Sequence, residues 1–344
     1  MCAFKKPFCS AASMLLMLAM ALAQSGRRLP SRNQGADETI RLRAEEVLLN
    51  VTVIDPYGRQ ATDLRKDEFI IAEDGIRQQI AGFATSYVPV SVVILLDGSG
   101  SVAGQIESLR TAAIRFVKEL GPEDKVSIIE FHATVELIQD WTSNRDDLLH
   151  AISWRFRPGM IRTKEGRSIP ASTSLYDALY LAAQEQLTKV RGRKAIILLT
   201  DGLDTSSKVT YDQALAAVIR SNAVVYVVSK ARYFINEANR LRGPLGRILG
   251  GGAAADSYVA QMEQAERLMS NLAARTGGQI LSPLEDKDLE EAYGRIAREL
   301  KNQYVITYVP KNEERDGRLR RIQVFLTRPG YTARTRDSYY APQR

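Results

Sequence analysis

Asp97, Ser99 and Ser101 stand two residues apart, separated by Gly98 and Gly100, directly after the apolar run Val92-Val93-Ile94-Leu95-Leu96. The glycines let the backbone turn sharply where the run ends. Three oxygen side chains on one tight loop suit a hard cation such as Mg²⁺, which prefers oxygen ligands in a near-octahedral array. Two other fragments offer oxygens of the same kind. Thr173 precedes Ser174-Leu175-Tyr176-Asp177-Ala178-Leu179, and Asp201 lies in Leu198-Leu199-Thr200-Asp201-Gly202. If the three fragments meet, three hydroxyls and two carboxylates surround one point. Each has a plainer reading alone. Ser-Gly and Asp-Gly after a strand make turns, Thr173 suits a helix N-cap, Asp204 suits a loop or cap, and Asp177 suits a helix residue bonding nearby backbone. The combination is what points to a site.

Such a site needs elements that bring distant fragments together. Val- and Ile-rich runs predict buried strands at 91–96, 125–131, 194–200 and 223–229. Amphipathic helices are expected near 105–120, 144–153, 174–189 and 211–221, and later ones near 259–274 and 285–300 flank a short strand at 278–282. Thr134 to Ile138 suits an antiparallel edge strand. This alternation predicts an α/β fold, a Rossmann-like, doubly wound, mostly parallel sheet. Ligands in such sheets gather at the carboxyl ends of the strands, where Asp97 and Asp201 would sit.

The flanks read differently. Val47, Leu49, Val51 and Val53 alternate with more polar residues, the period of a half-buried strand. Further strands are expected at 68–72 and 79–84, giving a β unit over 41–88. Tyr304 to Val309 and Ile322 to Leu326 predict β structure again over 302–344, able to pack with 41–88 as one small sheet or sandwich. Two stretches fit neither pattern and read as loops: 155–172, with Arg155, Arg157, Arg162, Lys164 and Arg167, and 231–256, with four arginines before Gly250-Gly251-Gly252. The first is a candidate basic rim for an acidic partner.

Lys5 and Lys6, the apolar run Ala11 to Leu22 and Ala21-Leu22-Ala23 form a signal-peptide pattern over 1–23, followed by a polar linker over 24–40. Both cysteines, Cys2 and Cys9, lie in that leader. The expected mature chain is exported, periplasmic or extracellular, without a disulfide, a thiol nucleophile or a membrane span. The net charge of +7 on 344 residues, lowered by two when the leader leaves, is mild, and with export it argues against nucleic-acid binding.

Other chemistries find little support. Gly98-x-Gly100-x-x-Ala103 after a strand, with Glu130 as ribose acid, mimics a dinucleotide fingerprint. Asp97 would place a negative charge beside the pyrophosphate, however, and Ser99, Ser101, Thr173 and Asp201 would go unexplained. No phosphate-binding Gly-x-x-x-x-Gly-Lys-Ser/Thr occurs, and no Gly-x-Ser-x-Gly. The two histidines, His132 and His150, form no zinc motif and no catalytic set.

Asp-x-Ser-x-Ser, Thr173 before Leu-Tyr-Asp-Ala and Thr-Asp-Gly together resemble the von Willebrand factor type A domain and its metal-ion-dependent adhesion site (MIDAS). Leu64 to Phe69, Glu73-Asp74-Gly75 and Arg328-Pro329-Gly330-Tyr331 are similar to the exported bacterial "VWFA-related" group. The resemblance implies such a domain over 89–301. It also implies a metal set of Asp97, Ser99, Ser101, Thr173 and Asp201 holding Mg²⁺, with Mn²⁺ or Ca²⁺ as substitutes. Ser99 and Ser101 would bind directly, Thr173 directly or through water, and the two aspartates largely through water. The last position would go to a protein partner's Asp or Glu. The implied role is a non-enzymatic binding module. A structural part of an envelope assembly and a metal-dependent hydrolase are the alternatives.

Overall fold

Five consecutive apolar residues at 92–96 leave a strand with no polar face, so both of its sides must be covered. The computed structural model describes residues 46–85, 87–157, 160–162, 168–170, 172–241 and 252–343, without the side chains of 101–103, 160–162, 168–170, 240–241, 252–254 and 286–287. The leader and linker expected over 1–40 lie outside the described residues.

In chain order the first strands are β1 (Val47–Ile54), β2 (Gln60–Ala61), β3 (Phe69–Glu73), β4 (Ile76–Gln78), β5 (Ile80–Ala84) and β6 (Val90–Asp97). The short 3-10 turn Gly100–Gln105 then leads into α1 (Ile106–Glu119), β7 (Lys125–Phe131), β8 (Val135–Thr142) and α2 (Arg145–His150). Next come β9 (Met160–Arg162), β10 (Ser168–Pro170), α3 (Leu175–Leu181), β11 (Arg193–Thr200), α4 (Tyr211–Ser221) and β12 (Val224–Ser229). Helices α5 (Ala231–Leu241) and α6 (Gly252–Thr276) precede β13 (Ile280–Leu281) and α7 (Asp286–Lys301). The chain closes with β14 (Tyr304–Tyr308), β15 (Leu319–Leu326), β16 (Thr332–Arg334) and β17 (Ser338–Tyr340).

The main sheet has the order β13-β12-β11-β6-β7-β8, parallel except for β8, which runs antiparallel beside β7. Val92, Ile94 and Leu96 bury against Phe116 of α1 and Tyr293 and Ile296 of α7. Val93 and Leu95 bury against Leu175 and Leu179 of α3, Val218 of α4 and Met269 of α6. All of these side chains are fully buried, and each large aliphatic one stabilises the fold by about 1.5–3 kcal/mol. The fold is the expected doubly wound α/β layer.

Local signals set the ends of some elements. Thr210 and Gln213 cap α4 reciprocally, and Asn222 closes it in the left-handed region at φ 61°, which Asn tolerates better than most residues. Elsewhere the structure corrects the sequence reading. The stretch 231–256 is not a loop throughout: Ala231–Leu241 is helical, and α6 begins at Gly252 rather than near 259. Its glycines and arginines hid a face anchored by Ala231 and Ala238. Within 155–172, β9 and β10 pair antiparallel. The short strands β4, β16 and β17 carry too few residues to show a period.

The flanking segments interleave in space. β1 pairs antiparallel with both β14 and β16, and β3 with both β15 and β4. Val47, Leu49, Val51 and Val53 of β1 share one core with Phe69 and Ile71 of β3 and Tyr304, Ile306 and Tyr308 of β14. The result is a small β sandwich.

Buried polar groups join this sandwich to the α/β layer. Arg193, on β11, donates to Asn50 Oδ1 (3.0 Å), Val88 O (2.6 Å), Leu300 O (2.7 Å) and Gln303 Oε1 (2.7 Å). Glu299, on α7, accepts from Thr52 Oγ1 (3.0 Å), Tyr226 OH (2.8 Å), Gln279 Nε2 (2.8 Å) and the Arg334 guanidinium. A buried charge is tolerable only with such partners.

Candidate metal centre

The strand order reverses at β6. The chain leaves it toward β7 on one side and returns later to β11 on the other, a topological switch point. Open α/β sheets bind ligands in the crevice that such a reversal leaves at the strands' carboxyl ends. Asp97 is the last residue of β6, and Asp201 directly follows β11 on the neighbouring strand. Both are fully buried.

Asp97 is held by neutral donors. Its Oδ1 accepts the Ser99 N–H at 2.9 Å and its Oδ2 accepts the Thr200 hydroxyl at 2.7 Å. Burial, and after it the nearby Asp201 charge, raise its pKa to about 7 against the opposing bonds from Ser99 and Thr200. Asp201 Oδ1 accepts the Leu203 N–H at 3.0 Å. Two carboxylates crowded in a dry pocket disfavour double ionisation, and a divalent cation relieves that conflict.

Ser99 is 1% exposed and Thr173 is 4% exposed. Thr173 is joined to the loop after Asp201 rather than acting as a cap. Its N–H donates to Thr205 Oγ1 (2.8 Å), and its carbonyl accepts from Thr205 N (2.9 Å) and Ser206 N (3.0 Å). The cap on α3 comes from that loop too, since Asp204 Oδ1 accepts the Tyr176 N–H at 3.3 Å. Asp177 accepts from the N–H groups of Lys208 and Val209, the backbone-bonding role its sequence suggests. The backbone of Ser101 lies in the 3-10 turn after Ser99; its side chain is outside the description.

Thr200, Gly202 and Tyr258 are supporting residues that the sequence alone does not mark as such. The Thr200 hydroxyl orients Asp97 and also accepts the Gly202 N–H at 3.0 Å. Gly202 has φ +86°, and a Cβ there would lie 3.2 Å from Ala265 Cβ and 3.3 Å from Met269 Cγ of α6. Only glycine meets both demands without strain. Tyr258, also on α6, has its pKa raised by burial and then by the charge of Asp201. Gly98 is required for room: a Cβ would lie 2.8 Å from Glu130 Oε1 and 3.2 Å from Arg157 O. Burial pushes the Glu130 carboxyl up to about 7 against the backbone bond from Arg157. Glu130 thus packs against the loop that follows Asp97.

The donor set is one of oxygens. Among the described residues no group of three or more His, Cys, Asp or Glu side chains could hold a metal, so hydroxyls must complete any such centre here. His132 is engaged locally, its Nδ1 accepting the Thr134 N–H at 3.3 Å. His150 ends α2 on the surface. The residues, hydroxyls beside two carboxylates, fit a small hard cation.

Residues 92–203 match the family described as the von Willebrand factor type A domain. Over 130 residues the chain is 30% identical to inter alpha-trypsin inhibitor heavy chain 4 of Mus musculus, covering 35% of this chain and 13% of that protein. The chain therefore spans only a small part of that relative. Among solved structures it is similar to the conserved hypothetical protein BatB of Bacteroides thetaiotaomicron, at 26% identity over 41% of this chain and 66% of the other, with TM-score 0.32. It is also similar to proximal thread matrix protein 1 of the mussel byssus with a zinc-occupied MIDAS motif. There the identity is 12% over 66% of this chain and 49% of the other, with TM-score 0.42. Among the described residues no helix is long and apolar enough to cross a membrane.

Proposed function

Residues 92–203 carry a von Willebrand factor type A domain, and on that premise we propose that this protein binds a protein partner through a divalent cation. Asp97, Ser99, Ser101, Thr173 and Asp201 hold the ion, with Mg²⁺ as the cation and Mn²⁺ or Ca²⁺ able to replace it. The observation that carries this reading is the pair of fully buried carboxylates, Asp97 and Asp201, facing each other at the switch point with hydroxyls around them.

Each residue has its own task. The Ser99 and Ser101 hydroxyls would hold the ion while adding no charge. Asp97, tied to Ser99 N–H and Thr200 Oγ1, would fix the loop and act on the ion largely through water, and Asp201, just after β11, would do the same. Thr173 follows the loop after Asp201 because its backbone is bonded to Thr205 and Ser206. A bound cation would supply a Lewis-acidic anchor whose direct ligands are neutral hydroxyls, so a partner's Asp or Glu would complete it. The leader pattern over 1–23 supports an event outside the cytoplasm.

Capture from the source organism's envelope fraction tests the reading. A protein retained in Mg²⁺, released by EDTA and not retained by Asp97→Ala supports it. Retention that ignores both EDTA and the substitution removes it.

A further inference from the structure

Trp154 leaves 66% of its surface exposed, the most of any large apolar side chain described in the α/β part. An indole in water forfeits the burial that normally holds tryptophan inside a fold. Its neighbours show that it is held there. Ala151, Ile152 and Phe156 are fully buried. Phe156 N donates to Ala151 O at 3.0 Å. Arg110 of α1 clamps the segment by donating from Nε to Ile152 O (3.1 Å) and from Nη2 to Phe156 O (3.0 Å). With both sides anchored, Trp154 and Arg155 must face outward on a pinned turn.

That turn borders the metal loop. Arg157 N donates to Glu130 Oε1 at 3.1 Å, and Arg157 O lies 3.2 Å from where a Gly98 Cβ would be. Arg155 and Arg157 are exposed, and 151–157 contains no acid. A rigid aromatic flanked by arginines, beside a cation that seeks a carboxylate, has the composition of a binding hot spot.

We propose that Trp154, Arg155 and Arg157 form a docking rim for an acidic polypeptide segment whose own carboxylate completes the metal site. An apolar or aromatic side chain next to that carboxylate stacks on Trp154, and further acids meet Arg155 and Arg157. Charge complementarity selects the occupant, and the rim rests on the metal-binding reading above.

A phage-displayed library of random peptides, captured on the full chain in Mg²⁺ and eluted with EDTA, supplies the probe. Eluted peptides are then titrated by fluorescence anisotropy against the full chain, Trp154→Ala and Arg155→Ser/Arg157→Ser, with Mn²⁺ calorimetry on each. The expected peptides pair an acid with an apolar neighbour. Trp154→Ala should weaken them roughly tenfold or more while leaving Mn²⁺ affinity and melting temperature unchanged, and the arginine pair should flatten the salt dependence. Peptides that bind Trp154→Ala as well as the parent overturn the rim, and so does a failure to elute any peptide from a chain that binds Mn²⁺. A chain that binds no Mn²⁺ fails at the metal site itself, and the rim falls with it.

Discussion

Two of the places where this molecule buries carboxylates are built in opposite ways. At the junction with the sandwich, Glu299 is 6% exposed and surrounded by the Thr52 and Tyr226 hydroxyls, the Gln279 amide and the Arg334 guanidinium. At the carboxyl edge of the main sheet, Asp97 has neutral donors, and its nearest charge is the like charge of Asp201. The first carboxylate is answered by the protein and holds two layers together. The second, on the proposed reading, takes its matching charge from outside. A buried acid therefore marks a joint when a fixed cation matches it and a site when another acid faces it.

The largest consequence concerns the joint. Glu299→Ala leaves the Arg334 guanidinium and three polar donors without their acceptor. It should cost roughly 3 kcal/mol in chemical denaturation, equally in Mg²⁺ and in EDTA. A loss confined to Mg²⁺ would erase the distinction between the two regions.

Gly202→Ala probes the packing behind the site, where φ +86° and the approach of Ala265 both oppose a side chain. About 1–3 kcal/mol of stability should be lost, with weaker Mg²⁺ binding because the loop carrying Asp201 shifts. Unchanged melting and unchanged binding would show that α6 does not constrain that loop.

The sign reverses at Asp97. Asp97→Asn removes one of two crowded negative charges, so the metal-free chain should become more stable by about 1 kcal/mol, read from its unfolding midpoint in EDTA, while metal binding is lost. Destabilisation like that expected for Glu299→Ala would place Asp97 among the structural carboxylates.

Proton linkage gives the smallest effect. The Asp97 pKa rises from 3.8 to about 7 on folding, through burial and then through Asp201. The metal-free fold therefore keeps a proton that the unfolded chain releases. That contribution is complete below the unfolded value and is lost as pH rises through about 7. Mg²⁺ needs the ionised form, so the gain in melting temperature on adding Mg²⁺ should be larger at pH 8 than at pH 6. Equal gains would mean that no proton is exchanged for the metal.

Much of this contrast was legible in the residues. Asp97, Ser99, Ser101, Thr173 and Asp201 could be picked out because their oxygen side chains occur in combination at the ends of elements, each alone being an ordinary turn or cap, and the alternation around them predicted the sheet. The joint was invisible. Thr52, Tyr226, Glu299 and Arg334 come from distant parts of the chain, and each alone looks like an ordinary polar residue. Thr200 was hidden in plain view, because a hydroxyl before Asp-Gly reads as part of a turn. Helix α5 was missed because arginines and nearby glycines masked its buried alanines. Sequence period reveals faces that repeat, and a single contact between distant residues leaves no period to read.

The central claim is that the centre around Asp97 and Asp201 takes a divalent cation. Titration calorimetry with Mg²⁺ and with Mn²⁺ on the full chain and on Asp97→Ala tests it most directly. The account predicts one saturable site in the parent and at least a hundredfold loss in the variant, about 2.7 kcal/mol. Equal binding by both chains, or no binding by the parent, would contradict it.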